Sequence, residues 1–97
     1  MKTFEYAAEF EPGDKLGVIV VTFPDVPEAI TEGISKDDAT RQASDALGVA
    51  LLSYPLRGLP IPKARARTGH KISVPADIAA KLAVLDAFTL SGLSLFS

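Results

Sequence analysis

Carboxylates and one histidine are the side chains of this 97-residue chain whose chemistry is suited to catalysis. Glu5 and Glu9 fall on one side of a predicted strand, but no acidic residue lies between Gly17 and Phe23 on the next strand. A two-metal nuclease needs several carboxylates that converge on cations about 4 Å apart. We therefore interpret the two glutamates as solvated charge and predict no catalytic residue.

The side chains that usually bind metals or act as nucleophiles with a histidine base are scarce in this chain. The chain has no cysteine and a single histidine, His70, so it has neither a thiolate metal site, nor a disulfide framework, nor a histidine cluster. His70 would act as a base only if a serine and an acid met it. We predict no metal and no cofactor, and we place His70 at the surface.

Charge is unevenly distributed along the chain. Residues 1–62 carry ten acidic and five basic residues, whereas residues 63–97 carry five basic and two acidic ones. An acidic body favours a basic partner, and a basic region favours a polyanion. Ordinary solvated charge is the alternative interpretation.

Basic residues recur along the segment that follows residue 62. Their spacing places several on one side of an extended chain, where they could follow phosphates. No aromatic residue interleaves them, so base stacking is not predicted, and a solvated linker is the alternative. The candidates for nucleic-acid contact are Lys63, Arg65, Arg67 and Lys71.

Composition is typical of a folded protein. Hydrophobic residues make up 47% and charged residues 23% of the chain, and the length fits one domain. No apolar run approaches the roughly 18 to 20 residues of a membrane span, and the N-terminus lacks the apolar core of a signal peptide. These features predict a cytoplasmic protein.

The N-terminal half predicts a β-hairpin. Residues 3–10 alternate, with aromatic side chains on one face, and a Glu-Pro-Gly-Asp turn separates them from a second strand over Leu16–Phe23. The run Val18–Val21 is apolar on both faces, which suits a central strand covered by a helix on one side and by another subunit on the other.

A proline-flanked turn, Pro24–Pro27, is predicted to lead into a third strand over residues 29–34. Ser35 is placed as the N-cap of a helix that begins at Lys36 and stops at Pro55, because the residue before a proline is disfavoured in the helical region. The predicted inward stripe of this helix is Ala39, Ala43, Ala46, Leu47, Ala50, Leu51 and Tyr54.

The remaining chain is predicted to contain a surface linker, a short strand over Lys71–Val74, and a second helix that has Pro75 at its first position and runs to about Thr89. Ile78, Leu82 and Leu85 mark the apolar side of that helix, with Phe88 as a further member. The apolar segment 90–96 suggests packing against a neighbouring subunit.

Four short motifs, taken in order, resemble the pattern of the HicB antitoxin family. They are Phe23-Pro24-Asp25-Val26-Pro27, Thr31-Glu32-Gly33, Asp37-Asp38-Ala39 and Leu59-Pro60-Ile61-Pro62. Glu28 stands where the family commonly has glycine. Residues 74–94 are similar to the first helix of the helix-turn-helix that many members append. The sequence stops where the next helix is expected, so we expect the C-terminal DNA-binding part to be truncated.

The resemblance implies a fold and an organisation. The expected fold is α+β, with a small antiparallel sheet of three to four strands, a helix packed on one face in a partial RNase H-like arrangement, and a C-terminal helix. The expected divisions are a HicB-like domain over residues 1–62, a basic linker over 63–70, and a short strand and helix over 71–97.

The resemblance also implies a function. The expected role is that of an oligomeric bacterial antitoxin, a dimer or tetramer, that sterically neutralises a small basic RNA-cleaving toxin of the HicA type. The candidate toxin-binding residues are Asp25, Glu28, Glu32, Asp37 and Asp38. Two hypotheses from other classes stay open: a DNA-binding regulator of its own operon that uses the basic C-terminal part, and a stand-alone enzyme or small-ligand module. For Asp25 and Pro24, a purely structural role in the turn is the alternative.

Overall fold

The computed structural model of the protein contains four strands and two helices. It describes residues 4–90, with the backbone alone for residues 88–90. The predicted α+β fold is confirmed. The elements, in chain order, are β1 (Glu5–Pro12), β2 (Ile19–Thr22), β3 (Ile30–Gly33), α1 (Lys36–Leu56), β4 (His70–Ser73) and α2 (Ala76–Leu90). Residue 3 of the predicted first strand and residues 91–97 lie outside the described residues.

The strands form one antiparallel sheet in the order β3-β2-β1-β4. Strand β1 is long enough to pair with two neighbours at different positions: residues 9–12 pair with β2, and residues 5–8 pair with β4. The fourth strand therefore returns to the first, across the 13 residues that connect it to α1. Strands β3 and β4 are the two edges of this sheet.

The hydrophobic core lies between one face of the sheet and α1. Alternation along β1 turns Phe4, Tyr6 and Ala8 toward the helix, as predicted, and Val21 of β2 joins them on that face. From α1, the buried side chains include Ala39, Ala43, Leu47, Ala50 and Leu51. The small alanines of this stripe let the helix lie close to the sheet.

The hairpin between β1 and β2 is confirmed, but its second strand is shorter than predicted. Leu16 to Val18 lie in the connecting loop, and Leu16 is fully exposed. The loop is closed by hydrogen bonds from the Gly13 N–H to the Val18 carbonyl (2.7 Å) and from the Val18 N–H to the Lys15 carbonyl (3.1 Å). Gly17 has φ +84°, a left-handed conformation that breaks the extended chain before Ile19.

Helix α1 begins where predicted and ends two residues later than predicted. The Ser35 Oγ accepts a hydrogen bond from the Asp38 N–H at 3.1 Å, which confirms Ser35 as the N-cap. The prediction that Pro55 stops the helix is wrong: Pro55 is buried within the last turn, and the helix continues to Leu56. Burial of the proline ring offsets the loss of the hydrogen bond that a backbone N–H would donate at this position. After the last turn, the Gly58 N–H donates a hydrogen bond to the Pro55 carbonyl.

The C-terminal elements match the prediction within a residue or two. Strand β4 covers residues 70–73 rather than 71–74, and α2 starts at Ala76, so that Pro75 precedes the helix and its carbonyl accepts the Ala79 N–H. Leu82 is fully buried, and Ile78 packs beside Gly48 of α1. The side chain of Phe88 and the predicted subunit-packing segment beyond residue 90 lie outside the described residues.

Candidate functional site

The proline-flanked turn is compact and anchored in the core. The Val26 N–H donates to the Phe23 carbonyl (3.1 Å), and the Ala29 N–H donates to the Val26 carbonyl (2.9 Å). Phe23, Val26 and Ala29 are buried, whereas Pro24 is exposed. Two prolines limit the backbone here, so the turn is rigid and holds its polar side chains in defined positions.

Asp25 uses its carboxylate inside the fold. Its Oδ2 accepts two hydrogen bonds, from the Arg65 N–H and the Ala66 N–H, each at 2.8 Å. Two successive backbone donors on one carboxylate form a charge-assisted contact. Asp25 thereby fastens the α1–β4 connection, defined here as residues 57–69, to the turn. This contact is structural, but it differs from the predicted alternative, in which the Asp25 side chain would cap its own turn.

A second contact fastens the same connection. The buried Tyr6 hydroxyl donates a hydrogen bond to the Pro62 carbonyl. Burial, with further contributions from the charges of Asp25 and Asp86, raises the pKa of Tyr6 to about 12. The connection is therefore held at two points, although it contains no helix or strand.

The predicted basic residues divide into two groups. Lys63, Arg65 and Arg67 are exposed on the fastened connection, while Ala66 between two of them is half-buried. Ala64 is exposed as well, so burial does not alternate along the whole segment, but all three cations face solvent. Lys71 instead lies on β4, opposite Ala7 of β1.

Glu28 is tied to the C-terminal end of α1. Its carboxylate accepts the Tyr54 hydroxyl at 2.6 and 2.7 Å, and it lies 3.8 Å from the Arg57 guanidinium. That guanidinium also lies over the Tyr54 ring, 5.1 Å from its centroid. The hydrogen bond from Tyr54, followed by a backbone hydrogen bond and the Arg57 charge, lowers the pKa of Glu28.

Asp37 and Asp38 lie at the opposite end of α1. Asp38 accepts the Ile34 N–H at 2.9 Å and pairs with Arg41 at 3.6 Å, so it serves the helix N-terminus. Asp37 is exposed and has no hydrogen bond or ion pair within residues 4–90. At 1.5 Å per residue, Asp38 and Tyr54 are about 24 Å apart along the helix. The structure therefore does not gather Glu28, Asp37 and Asp38 into one patch.

Glu32, the remaining acidic candidate, lies on the sheet face that points away from α1. It is exposed and pairs in register with Val20 of β2, which pairs in turn with Glu11 of β1. Glu9 lies on the same face, in register with Thr22. The sequence prediction did not name Glu9 or Glu11 as binding candidates. The alternation of β1 carried the signal, because it placed acids opposite the aromatic side chains.

His70 lies at the surface, in agreement with the prediction. Its ring contacts the Phe10 ring, with 4.6 Å between centroids and 45° between the planes. Within residues 4–90 no group of three His, Asp or Glu side chains is arranged to hold a metal ion. No helix in that part of the chain has the length and apolar character needed to cross a bilayer.

Comparison with known proteins finds a family model and several relatives that match most of the chain. A family model described as the HicB-like antitoxin of bacterial toxin-antitoxin systems matches residues 5–83. Antitoxin HicB 1 of Photorhabdus laumondii is 34% identical over 94 residues, which cover 97% of this chain and 60% of that protein. Antitoxin HicB 2 of the same organism is 38% identical over 87 residues (88% and 60%). Antitoxin HicB of Escherichia coli is 36% identical over 77 residues (77% and 56%). The chain thus spans about 60% of the length of these relatives.

Proposed function

The chain belongs to the HicB-like family of bacterial antitoxins, and we propose that it binds and sterically neutralises a small basic RNA-cleaving toxin of the HicA type. It acts in the cytoplasm and performs no reaction itself. Its part is to occupy the surface with which the toxin binds RNA.

The acidic body is the observation that carries this proposal. Residues 1–62 have five more acidic than basic residues, and the side chains of Glu32 and Asp37 are exposed with no hydrogen bond or ion pair in the described part of the chain. Such carboxylates attract a basic RNA-binding surface and orient it on approach. Asp25, Glu28 and Asp38 contribute indirectly, because their internal contacts hold the turn and both ends of α1 in place.

Co-expression tests the proposal. The chain is expressed together with a HicA-type toxin from the same genome, and growth and messenger RNA integrity are followed. We expect the chain to restore growth and to co-purify with the toxin in a stable complex. Growth arrest that persists while the soluble, folded chain accumulates would refute the proposal.

A second candidate function, nucleic-acid binding, is favoured by the way the α1–β4 connection is held. Asp25 and Tyr6 fix its backbone, so Lys63, Arg65 and Arg67 are presented with less conformational freedom than on a loose linker. We propose the phosphates of the chain's own operator DNA as the ligand, with Lys71 as a further contact.

A gel shift on the upstream DNA at two salt concentrations tests this candidate. Binding through phosphates weakens with salt by a log–log slope of about −0.9 for each neutralised phosphate. We expect the variant K63A/R65A/R67A to lose the shift and the matched variant K15A/K36A/K81A to retain it. An equal loss in both variants, or no shift with the unaltered chain, removes this candidate.

Homo-oligomer formation is a further proposal, supported by the exposed edge of the sheet. Ile30 on edge strand β3 is 64% exposed, and Val49 on the adjoining side of α1 is 72% exposed. An uncovered edge strand with apolar neighbours is suited to pairing with another chain. Light scattering is expected to give a mass above the monomer value of 10.2 kDa, and a monomer at high concentration would refute the proposal.

A further inference from the structure

The sheet face that points away from α1 carries an ordered array of exposed side chains. Two registered rows cross strands β1, β2 and β3: Glu9, Thr22 and Ile30 form one row, and Glu11, Val20 and Glu32 form the other. We call these six residues the open face. All three of its charges are negative. Farther along the same face, where β1 pairs with β4, lie Glu5 and Lys71, one charge of each sign.

This face is accessible in the described structure. Its three glutamates and Ile30 are exposed, and Val20 and Thr22 are half-buried. Glu11, Val18, Val20 and Glu32 line a depression whose rim is formed by the loop that joins β1 to β2. Asp14 and Lys15 are the charged residues of that rim, and their charges offset each other.

The array has the chemistry of a nucleic-acid mimic. Residues two apart on a strand are separated by about 6.6 Å, and residues two strands apart by about 9.6 Å, which spaces the carboxylates of Glu9, Glu11 and Glu32 across the face. Val20 lies between two of these carboxylates and supplies an apolar centre. A protein surface that binds RNA uses lysine and arginine side chains to neutralise phosphates, and carboxylates can offer those side chains the same negative charge.

We propose that the open face is the docking surface for the toxin's RNA-binding side, with Glu9, Glu11 and Glu32 in the positions that RNA phosphates would take. The inference rests on the proposed function and specifies which surface of the chain contacts the toxin and which side chains make the contact. Charge complementarity accelerates association and sets the orientation of the partner, while Val20 adds apolar contact once water is expelled.

A second copy of the chain is a poor occupant for this face. In a two-fold dimer the same patch meets itself, so the glutamates of one copy would lie against those of the other. Like charges brought together in an interface destabilise it. The open face therefore suits a basic partner rather than another open face.

A matched pair of variants tests the assignment. E11Q/E32Q removes two charges from the open face, and D45N/D77N removes two exposed charges from the helices. None of these four side chains has a hydrogen bond or ion pair within the described residues, so we expect both variants to fold, which circular dichroism checks. Association with a HicA-type toxin from the same genome is measured at low and high salt, together with rescue of growth.

We expect E11Q/E32Q to lose about tenfold or more in association rate at low salt, with a smaller loss at high salt, and D45N/D77N to stay close to the unaltered chain. If the unaltered chain rescues growth and E11Q/E32Q binds equally well, the open-face assignment is wrong while the proposed function stands. An equal loss in both variants also overturns the assignment. If the unaltered chain neither binds the toxin nor rescues growth, the proposed function itself fails.

A further measurement separates the toxin from a second copy as the occupant. If the mass of the isolated chain by light scattering falls in E11Q/E32Q but not in D45N/D77N, the open face is occupied by another copy and the inference is overturned. An unchanged mass, together with slower association with the toxin, supports it.

Discussion

Gly33 of β3 and Ala39 of α1 are packed so closely that no side chain fits between them. A Cβ added to Gly33 would lie 2.4 Å from the Ala39 backbone nitrogen and 2.5 Å from its Cα. Because these are backbone atoms of a helix, they cannot move aside as the end of a flexible side chain can. The last residue of β3 thus determines how near α1 lies to the sheet.

Replacement of Gly33 by alanine is expected to lower the free energy of unfolding by about 2 to 3 kcal/mol, because overpacking forces the helix away from the sheet. Urea denaturation followed by circular dichroism measures the loss. Gly58 is the comparison: it has φ +72° and open space around it, so Gly58→Ala meets only backbone strain. Asparagine tolerates that conformation, so Gly58→Asn should recover stability where Gly33→Asn does not. Equal recovery at both positions would contradict the packing argument.

Removal of the Asp25 carboxylate is expected to release the α1–β4 connection. Asp25→Ala deprives the Arg65 and Ala66 N–H groups of their acceptor, and hydrogen bonds to a charged group contribute about 1.5 to 3 kcal/mol. The amide hydrogens of these two residues should exchange with solvent markedly faster, as measured by NMR. Asp14→Ala, at an exposed loop carboxylate, is the control and should change stability by less than about 0.5 kcal/mol. Unchanged exchange at residues 65 and 66 would show that Asp25 does not hold the connection.

Stability is expected to fall at alkaline pH because of Tyr6. Its pKa is about 12 in the folded protein and 10.0 when unperturbed, so the unfolded chain loses this proton first. The contribution of Tyr6 to the free energy of unfolding is thus fully present below pH 10 and is lost as the pH rises to 12. A shift of two pKa units corresponds to a loss of about 2.7 kcal/mol. Tyrosinate absorbance and unfolding free energies between pH 9 and about 12 measure it.

Tyr6→Phe provides the control for this alkaline loss. It leaves Tyr54 as the single tyrosine, so the absorbance change of that variant belongs to Tyr54 alone. Burial and the Glu28 contact raise the pKa of Tyr54 as well, so some alkaline sensitivity should persist. A pH profile of stability identical to that of the unaltered chain would show that Tyr6 is not responsible.

Replacement of Tyr54 by phenylalanine is expected to raise the pKa of Glu28 toward its ordinary value, because the largest contribution to its lowering is the Tyr54 hydroxyl. In the unaltered protein the Glu28 contribution is present above the unfolded pKa and is lost as the pH falls through the lower, folded pKa. NMR titration of the side-chain carboxyl carbon measures the pKa directly. Arg57→Gln should raise it less than Tyr54→Phe does, and the reverse order would contradict the assignment.

Local sequence signals predicted most of the secondary structure. Alternation predicted the first hairpin, and Ser35 predicted the start of α1 to the residue, because a cap depends on groups three positions apart. The errors arose where nonlocal packing overrides a local preference. Pro55 is buried and stays inside its helix, while Leu16 is exposed because the loop hydrogen bonds begin earlier than hydropathy indicates.

The candidate site was less predictable, since the role of a carboxylate depends on what it meets in space. Asp25, Glu28 and Glu32 are equally polar in the sequence. In the structure the first holds the α1–β4 connection, the second contacts Tyr54, and the third is exposed on the open face. The strand register places Glu32 and Glu11 in the same row of the sheet, on either side of Val20, and the sequence does not reveal this.

By itself, the sequence determined the order of the elements, the helix cap, the acidic character of the body and membership of the antitoxin family, because these depend on residues close together in the chain or on their order along it. Only the tertiary structure decided which acids stay free. Asp25 accepts a hydrogen bond from a residue 40 positions away and Glu28 from one 26 positions away, and such contacts exist only once the sheet and α1 have packed together.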